Sequence, residues 1–195
     1  NRFVAEGTET PMIPRVGLRM QLSEILNDLT YYGRGPEENY RDRRTSQFIG
    51  EYTTPIKDLY EPYIRPQENE HRTDIYWCAL TTKQKAGLLF IADRTFELNA
   101  SNYLLGSLDS GETIDNGAPR TNETNHRHLT DPQPVKQVDM FIDYRMMGVG
   151  GDNSWGAIAP EPYLIRPGVE NAIEYGFSIV PFDKKADYKN LIYQY

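Results

Sequence analysis

Hydrophobic and polar residues alternate with a period of two along much of this 195-residue chain. Val16, Leu18, Met20 and Leu22 alternate with Gly17, Arg19 and Gln21. Val138, Met140, Ile142 and Tyr144 alternate with Asp139, Phe141, Asp143 and Arg145. Ile173, Tyr175, Phe177 and Ile179 alternate with Glu174, Gly176, Ser178 and Val180. Successive side chains of a strand point to opposite faces, so each pattern predicts a half-buried strand. Leu88, Phe90 and Ala92 interleave with Leu89, Ile91 and Asp93, which predicts a strand covered on both faces. Residues 75–80 read as another strand. Helical signals are weak: single turns are expected over residues 23–29, with Ser23 as N-cap, and over residues 41–48. Gly33-Arg34-Gly35-Pro36, Ser110-Gly111-Glu112, Asp115-Asn116-Gly117 and Arg166-Pro167-Gly168 read as turns, and residues 109–125 as a long polar loop. Many short strands separated by such turns predict an all-β fold, a large antiparallel β-sandwich or barrel. We expect one domain over residues 1–182. Residues 183–195 read as a charged C-terminal extension that docks through Leu191 and Ile192.

Composition narrows the function classes. Apolar residues make up 38% of the chain, but 12% are aromatic, including 14 Tyr, which argues against disorder. A net charge of -7 with scattered Lys and Arg repels phosphate backbones, so nucleic acid is not expected as a partner. No apolar run approaches the roughly 18 residues a membrane span needs, so no membrane partner is expected. The single Cys78 allows no internal disulfide. The chain opens at Asn1 rather than Met, and residues 2–6 already read as strand, so we expect it to be part of something longer. The compartment is left open.

Five runs carry more specific information. They are Pro14-Arg15-Val16-Gly17-Leu18, residues 32–43 (Tyr-Gly-Arg-Gly-Pro-Glu-Glu-Asn-Tyr-Arg-Asp-Arg), residues 59–69 (Leu-Tyr-Glu-Pro-Tyr-Ile-Arg-Pro-Gln-Glu-Asn), Asn125-His126-Arg127-His128-Leu129, and residues 147–155 (Met-Gly-Val-Gly-Gly-Asp-Asn-Ser-Trp). In this order they resemble the signature runs of the C-terminal small-chain domain (domain 5) of glycoside hydrolase family 2 β-galactosidases. The resemblance covers roughly residues 12–181. It implies a large antiparallel supersandwich similar to galactose mutarotase, in agreement with the alternation. The family's domain starts further upstream, so initial strands are expected to be missing here. The family's catalytic Glu pair lies in a separate barrel, so no residue of this chain inherits a catalytic role.

The candidate site residues follow from chemistry first. Retaining glycoside hydrolysis uses two carboxylates about 5.5 Å apart. Glu37, Glu38, Glu68 and Asp152 lie in or near the runs, but the expected role of these carboxylates is to satisfy Arg side chains and turn amides. Glu68 is singled out because Arg-Pro-Gln-Glu-Asn concentrates donors and acceptors suited to a sugar. His126 and His128 share a strand face, and zinc would need a third ligand that neither Cys78 nor His71 supplies by spacing, so no metal is expected. The strongest candidate is the run from Gly148 to Trp155, in which glycines let a strand end in an irregular loop that presents an acid, an amide, a hydroxyl and an indole. Sugars bind to that mixture of flat apolar surface and polar groups. Two readings of Trp155 stand: a sugar platform, or a plug in the core. The resemblance implies the first, with the indole reaching across to the barrel. The expected substrate-binding residues are therefore Trp155, Asp152 and Asn153, with Glu68, His126 and His128 ranked behind them.

Two function classes result. In the first, the chain is an accessory domain of a β-galactosidase, inactive alone, with a β-galactoside and the parent's catalytic barrel as partners. The resemblance further implies a homo-oligomeric parent, and cations used by the parent rather than a cofactor in this chain. In the second, it is a free-standing mutarotase-like enzyme or carbohydrate-binding module, using His126 or His128 with Glu68 as acid and base.

Overall fold

A computed structural model describes residues 1–4, 12–64, 67–108, 132–153, 156–166 and 173–194. The strands among the described residues are β1 (Arg2–Phe3), β2 (Arg15–Ser23), β3 (Asp28–Gly35), β4 (Phe48–Pro55), β5 (Arg72–Thr81), β6 (Gly87–Ser101), β7 (Gln137–Met146), β8 (Ile173–Glu174) and β9 (Phe177–Phe182). Helix is confined to single turns such as α1 (Leu105–Leu108) and α2 (Tyr188–Leu191) among the described residues, none long enough to cross a membrane. The fold is all-β and antiparallel, as the alternation predicts. Seven strands form one sheet in the order β2-β7-β6-β5-β3-β4, with β9 added to β6; β1 and β8 form a separate pair.

The long strand β6 organises the sheet. One edge pairs with β5. The other is shared: its first half pairs with β9, as in Leu89↔Val180, and its second half with β7, as in Leu98↔Ile142. The handover falls at the exposed residues Asp93, Arg94 and Thr95, where the pairing with β5 also shifts register. Its first half is covered on both faces, as expected. Phe90 joins the main core with Tyr31, Cys78, Phe96, Met140 and Ile142, while Leu89 and Ile91 face Trp77, Val180 and Phe182 on the opposite side. Leu191 and Ile192 pack on that second cluster. Cys78 is fully buried, and burial pushes its thiol pKa up.

Several local expectations are corrected. Residues 23–29 form a tight turn closed by Leu26 N–H to Ser23 O (3.0 Å) and then enter β3. Residues 41–48 make turns and then enter β4. Gly33 and Gly35, expected in a turn, lie inside β3, where the backbone packs close to Ile75 and Tyr31. The run 173–180 is broken at Tyr175 and Gly176, and in β9 Val180 is buried while Ile179 is exposed. The period of two persists along β9, but the buried face is that of Val180 and Phe182, which join Trp77 and Leu89. The polar positions of β7 are not solvent-facing either. Asp139 and Asp143 are buried beneath Arg19 and Arg15, and both guanidiniums lie over the Phe141 ring between them, at 5.4 and 4.4 Å. Long cationic side chains thus roof this part of the sheet.

Gly17 makes that roof possible. It sits opposite Asp143 at a shift in the β2–β7 register, and a Cβ there would lie 1.9 Å from Asp143 Oδ1 and 2.7 Å from its Cα. Gly17→Ala is expected to lower stability by about 2–3 kcal/mol, the range of an overpacked buried position. Urea unfolding of the variant measures it; an unchanged midpoint would show that Asp143 moves aside freely.

Candidate functional site

Two segments far apart in sequence converge on one cleft. The first is a two-residue hairpin, in which Tyr40 and Arg43 exchange backbone hydrogen bonds of 3.1 and 2.8 Å around Arg41 and Asp42. The second is the glycine-rich run that leaves β7. Val149 and Gly150 each donate a backbone N–H to Asp42, to Oδ1 at 3.1 Å and Oδ2 at 2.8 Å. Gly148 donates to Tyr163 O at 2.8 Å. Gly150, Gly151 and Gly156 have φ of +70°, +91° and +80°, a region where side chains are strained, so only this composition bends the loop here without cost. Between hairpin and loop lies a cleft of about 300 Å³ lined by Tyr40, Arg43, Tyr63, Glu68, Met146 and residues 149–151.

A connected polar network floors this cleft. Glu38 accepts from the Tyr40 hydroxyl (3.1 Å), from Arg43 (3.2 Å), from the Tyr63 hydroxyl and from the Glu70 N–H (2.8 Å). Burial, with Glu38 as hydrogen-bond acceptor, pushes the Tyr63 hydroxyl pKa up to about 12. Arg15 donates to Glu68 (3.2 Å), Asn99 (3.3 Å) and the Met146 sulfur (3.1 Å). His71 stacks on Tyr40, with Nδ1 2.8 Å from Asn99 Oδ1 and Nε2 3.1 Å from Glu97 Oε2. Arg15 Nε lies 3.3 Å from Asp143, but neither Asp143 oxygen completes a hydrogen bond, and burial pushes that carboxyl up to about 7. Burial also raises Glu68, with Arg15 pulling the other way. Among the described residues the cleft thus offers phenols, a guanidinium and a carboxylate.

A family model described as β-galactosidase small chain matches residues 2–179. The chain belongs to the β-galactosidase small-chain family. Among curated relatives, a β-galactosidase of Priestia megaterium is 33% identical over 162 residues, which are 83% of this chain and 14% of the relative. A β-galactosidase of Vibrio cholerae is 32% identical over 82% of this chain and 14% of its own length. One of Leuconostoc mesenteroides is 32% identical over 77% of this chain and 13% of its own length. The chain therefore spans about 14% of the length of the curated relatives it matches.

Within this small-chain sequence, the structure brings Glu68 to the cleft and sets Asp152 and Asn153, both exposed, just beyond the rim residue Gly151. Trp155, His126 and His128 lie outside the described residues. Among the described residues no group of three or more His, Cys, Asp or Glu is placed to hold a metal. A larger groove of about 900 Å³, lined by Arg2, Arg94, Arg145 and Tyr175 among others, holds none of the family runs. Four site residues escape sequence reasoning: Asp42, His71, Glu97 and Asn99. The last two sit in a stretch of β6 whose residues are buried on both faces. A polar residue in such a strand must be paired, and that is the only sequence signal they give.

Glu70 supplies a test of this polar floor. It is buried at φ +62°, neither carboxylate oxygen completes a hydrogen bond, and burial pushes its pKa from 4.5 up to about 8, with the Arg72 charge pulling back. The folded state therefore binds this proton more tightly than the unfolded state, and the group loses stability as pH rises from 4.5 through 8. Glu70→Gln cannot ionise. Its melting temperature should match the parent chain near about pH 4 and exceed it by several degrees near about pH 9. Parallel melting curves across that range would contradict the assignment.

Proposed function

We propose that this chain is the small-chain accessory domain of a β-galactosidase. On this reading its loop from Gly148 to Trp155 forms one wall of a galactoside site, and a catalytic barrel elsewhere in the parent supplies the hydrolytic carboxylates. The chain alone then turns over no β-galactoside, and the cations and oligomeric state belong to the parent. The observation that supports this best is the anchoring of the family's glycine-rich run at the rim of an open cleft lined by Tyr63, Arg43 and Glu68. Trp155 follows that anchor by five residues and is the group proposed to stack on the sugar, with Asp152 and Asn153 beside it for hydroxyl groups. A free-standing acid–base enzyme would need a histidine open to its substrate. The pair for that reading is His126 or His128 with Glu68; Glu68 lines the cleft, and both histidines lie outside the described residues.

Trp155→Ala in the parent enzyme tests the proposal. A sugar–indole stack is worth about 1 kcal/mol. Misplacing the substrate as well should bring the loss in kcat/KM to at least about tenfold, or 1.4 kcal/mol. The melting temperature should hardly move. A core plug predicts the opposite: about 3–5 kcal/mol of stability lost, with activity per folded molecule unchanged.

A further inference from the structure

We propose that Asp42 is a positioning residue for the galactoside site: its carboxylate sets the distance between the two walls of the cleft. The inference rests on the reading that cleft and loop bind the galactoside, and adds a residue with no assigned role. The hairpin wall is fixed independently of Asp42. Tyr40 is 1% exposed, stacked on His71 and bonded to Glu38, and Arg43 reaches that same Glu38. The loop wall is held to Tyr163 through Gly148 N–H and passes close to residues 157–159 at Gly150, and Asp42 is what ties it to the hairpin. Val149 and Gly150 line the cleft, and their consecutive N–H groups both end on Asp42. Consecutive N–H groups turned to one side form an anion-binding concavity, and a carboxylate fills it with charge-assisted bonds about twice as strong as neutral ones. Gly148 closes the fit, since a Cβ there would stand 2.6 Å from Asp42 Cγ. Any lengthening of this clamp moves residues 149–151 away from Tyr40 and Arg43.

Asp42→Asn removes half of the clamp with almost no change in shape. An amide has one accepting oxygen, and its NH₂ group meets the second N–H as a donor. In the intact parent enzyme this variant should raise KM for an aryl β-galactoside by about tenfold, with kcat changed less than about threefold and the melting temperature within a few degrees. In combination with Trp155→Ala it should add little to the loss from Trp155→Ala alone, because both act through one loop. A large fall in melting temperature with unchanged KM would make Asp42 structural only and overturn the proposal. So would a loss that multiplies fully with that of Trp155→Ala. If Trp155→Ala itself leaves galactoside kinetics intact, the reading beneath the proposal fails instead. Should Asp42→Asn not fold, Asp42→Glu, with its charge kept and one methylene added, serves for the same measurement, and a native KM there would also overturn the proposal.

Discussion

A buried guanidinium must be met by acceptors, and much of this molecule is arranged around one. Arg15 stands at the start of β2 with its side chain largely withdrawn from water, and its contacts reach Glu68 in the segment before β5, Asn99 in β6 and Asp143 in β7. A cation there without these groups would cost several kcal/mol, and the carboxylates without the cation would cost as much. The requirement couples four chain segments that hydrophobic packing alone would leave free to slide. It also fixes the floor beneath the cleft, because Glu68 and Met146, both cleft residues, are bonded to Arg15. The same demand explains why Asp143 is tolerated at 0% side-chain exposure opposite a residue with no side chain.

The fold was legible wherever burial followed the strand period. β6 is the clearest case: five consecutive apolar residues without a helical period imply a strand sandwiched between two clusters, and Leu89 and Phe90 do face opposite cores. Legibility failed where neighbours overrode the period. Gly33 and Gly35 look like turn residues, but their role is close packing inside β3. Ile179 and Val180 exchange their expected environments because the face of β9 that carries Val180 and Phe182 packs on Trp77 and Leu89.

The site divides in a similar way. A run of glycines ending in acid, amide and indole announces a loop that binds something, and Glu68 was visible as part of a dense polar run. Asp42 was not visible, because its partners lie more than a hundred residues away and its hairpin reads as an ordinary charged turn. His71 was set aside for lack of a ligand partner at useful spacing, whereas its partners, Glu97 and Asn99, come from the adjacent strand. Registers between strands, rather than spacings within them, assemble this network, and a single sequence does not display them.

The lone cysteine offers an unplanned window on these couplings. Cys78 lies in the middle of the sheet, paired across to Tyr31 on one side and Phe90 on the other, fully buried and with its thiol pKa pushed up. A reagent that alkylates thiolates can reach it only when β5 separates from a neighbouring strand. Its labelling rate under native conditions therefore counts spontaneous openings of the main core. One natural atom thereby separates changes that loosen the whole sheet from changes confined to the rim of the cleft, without any engineered label.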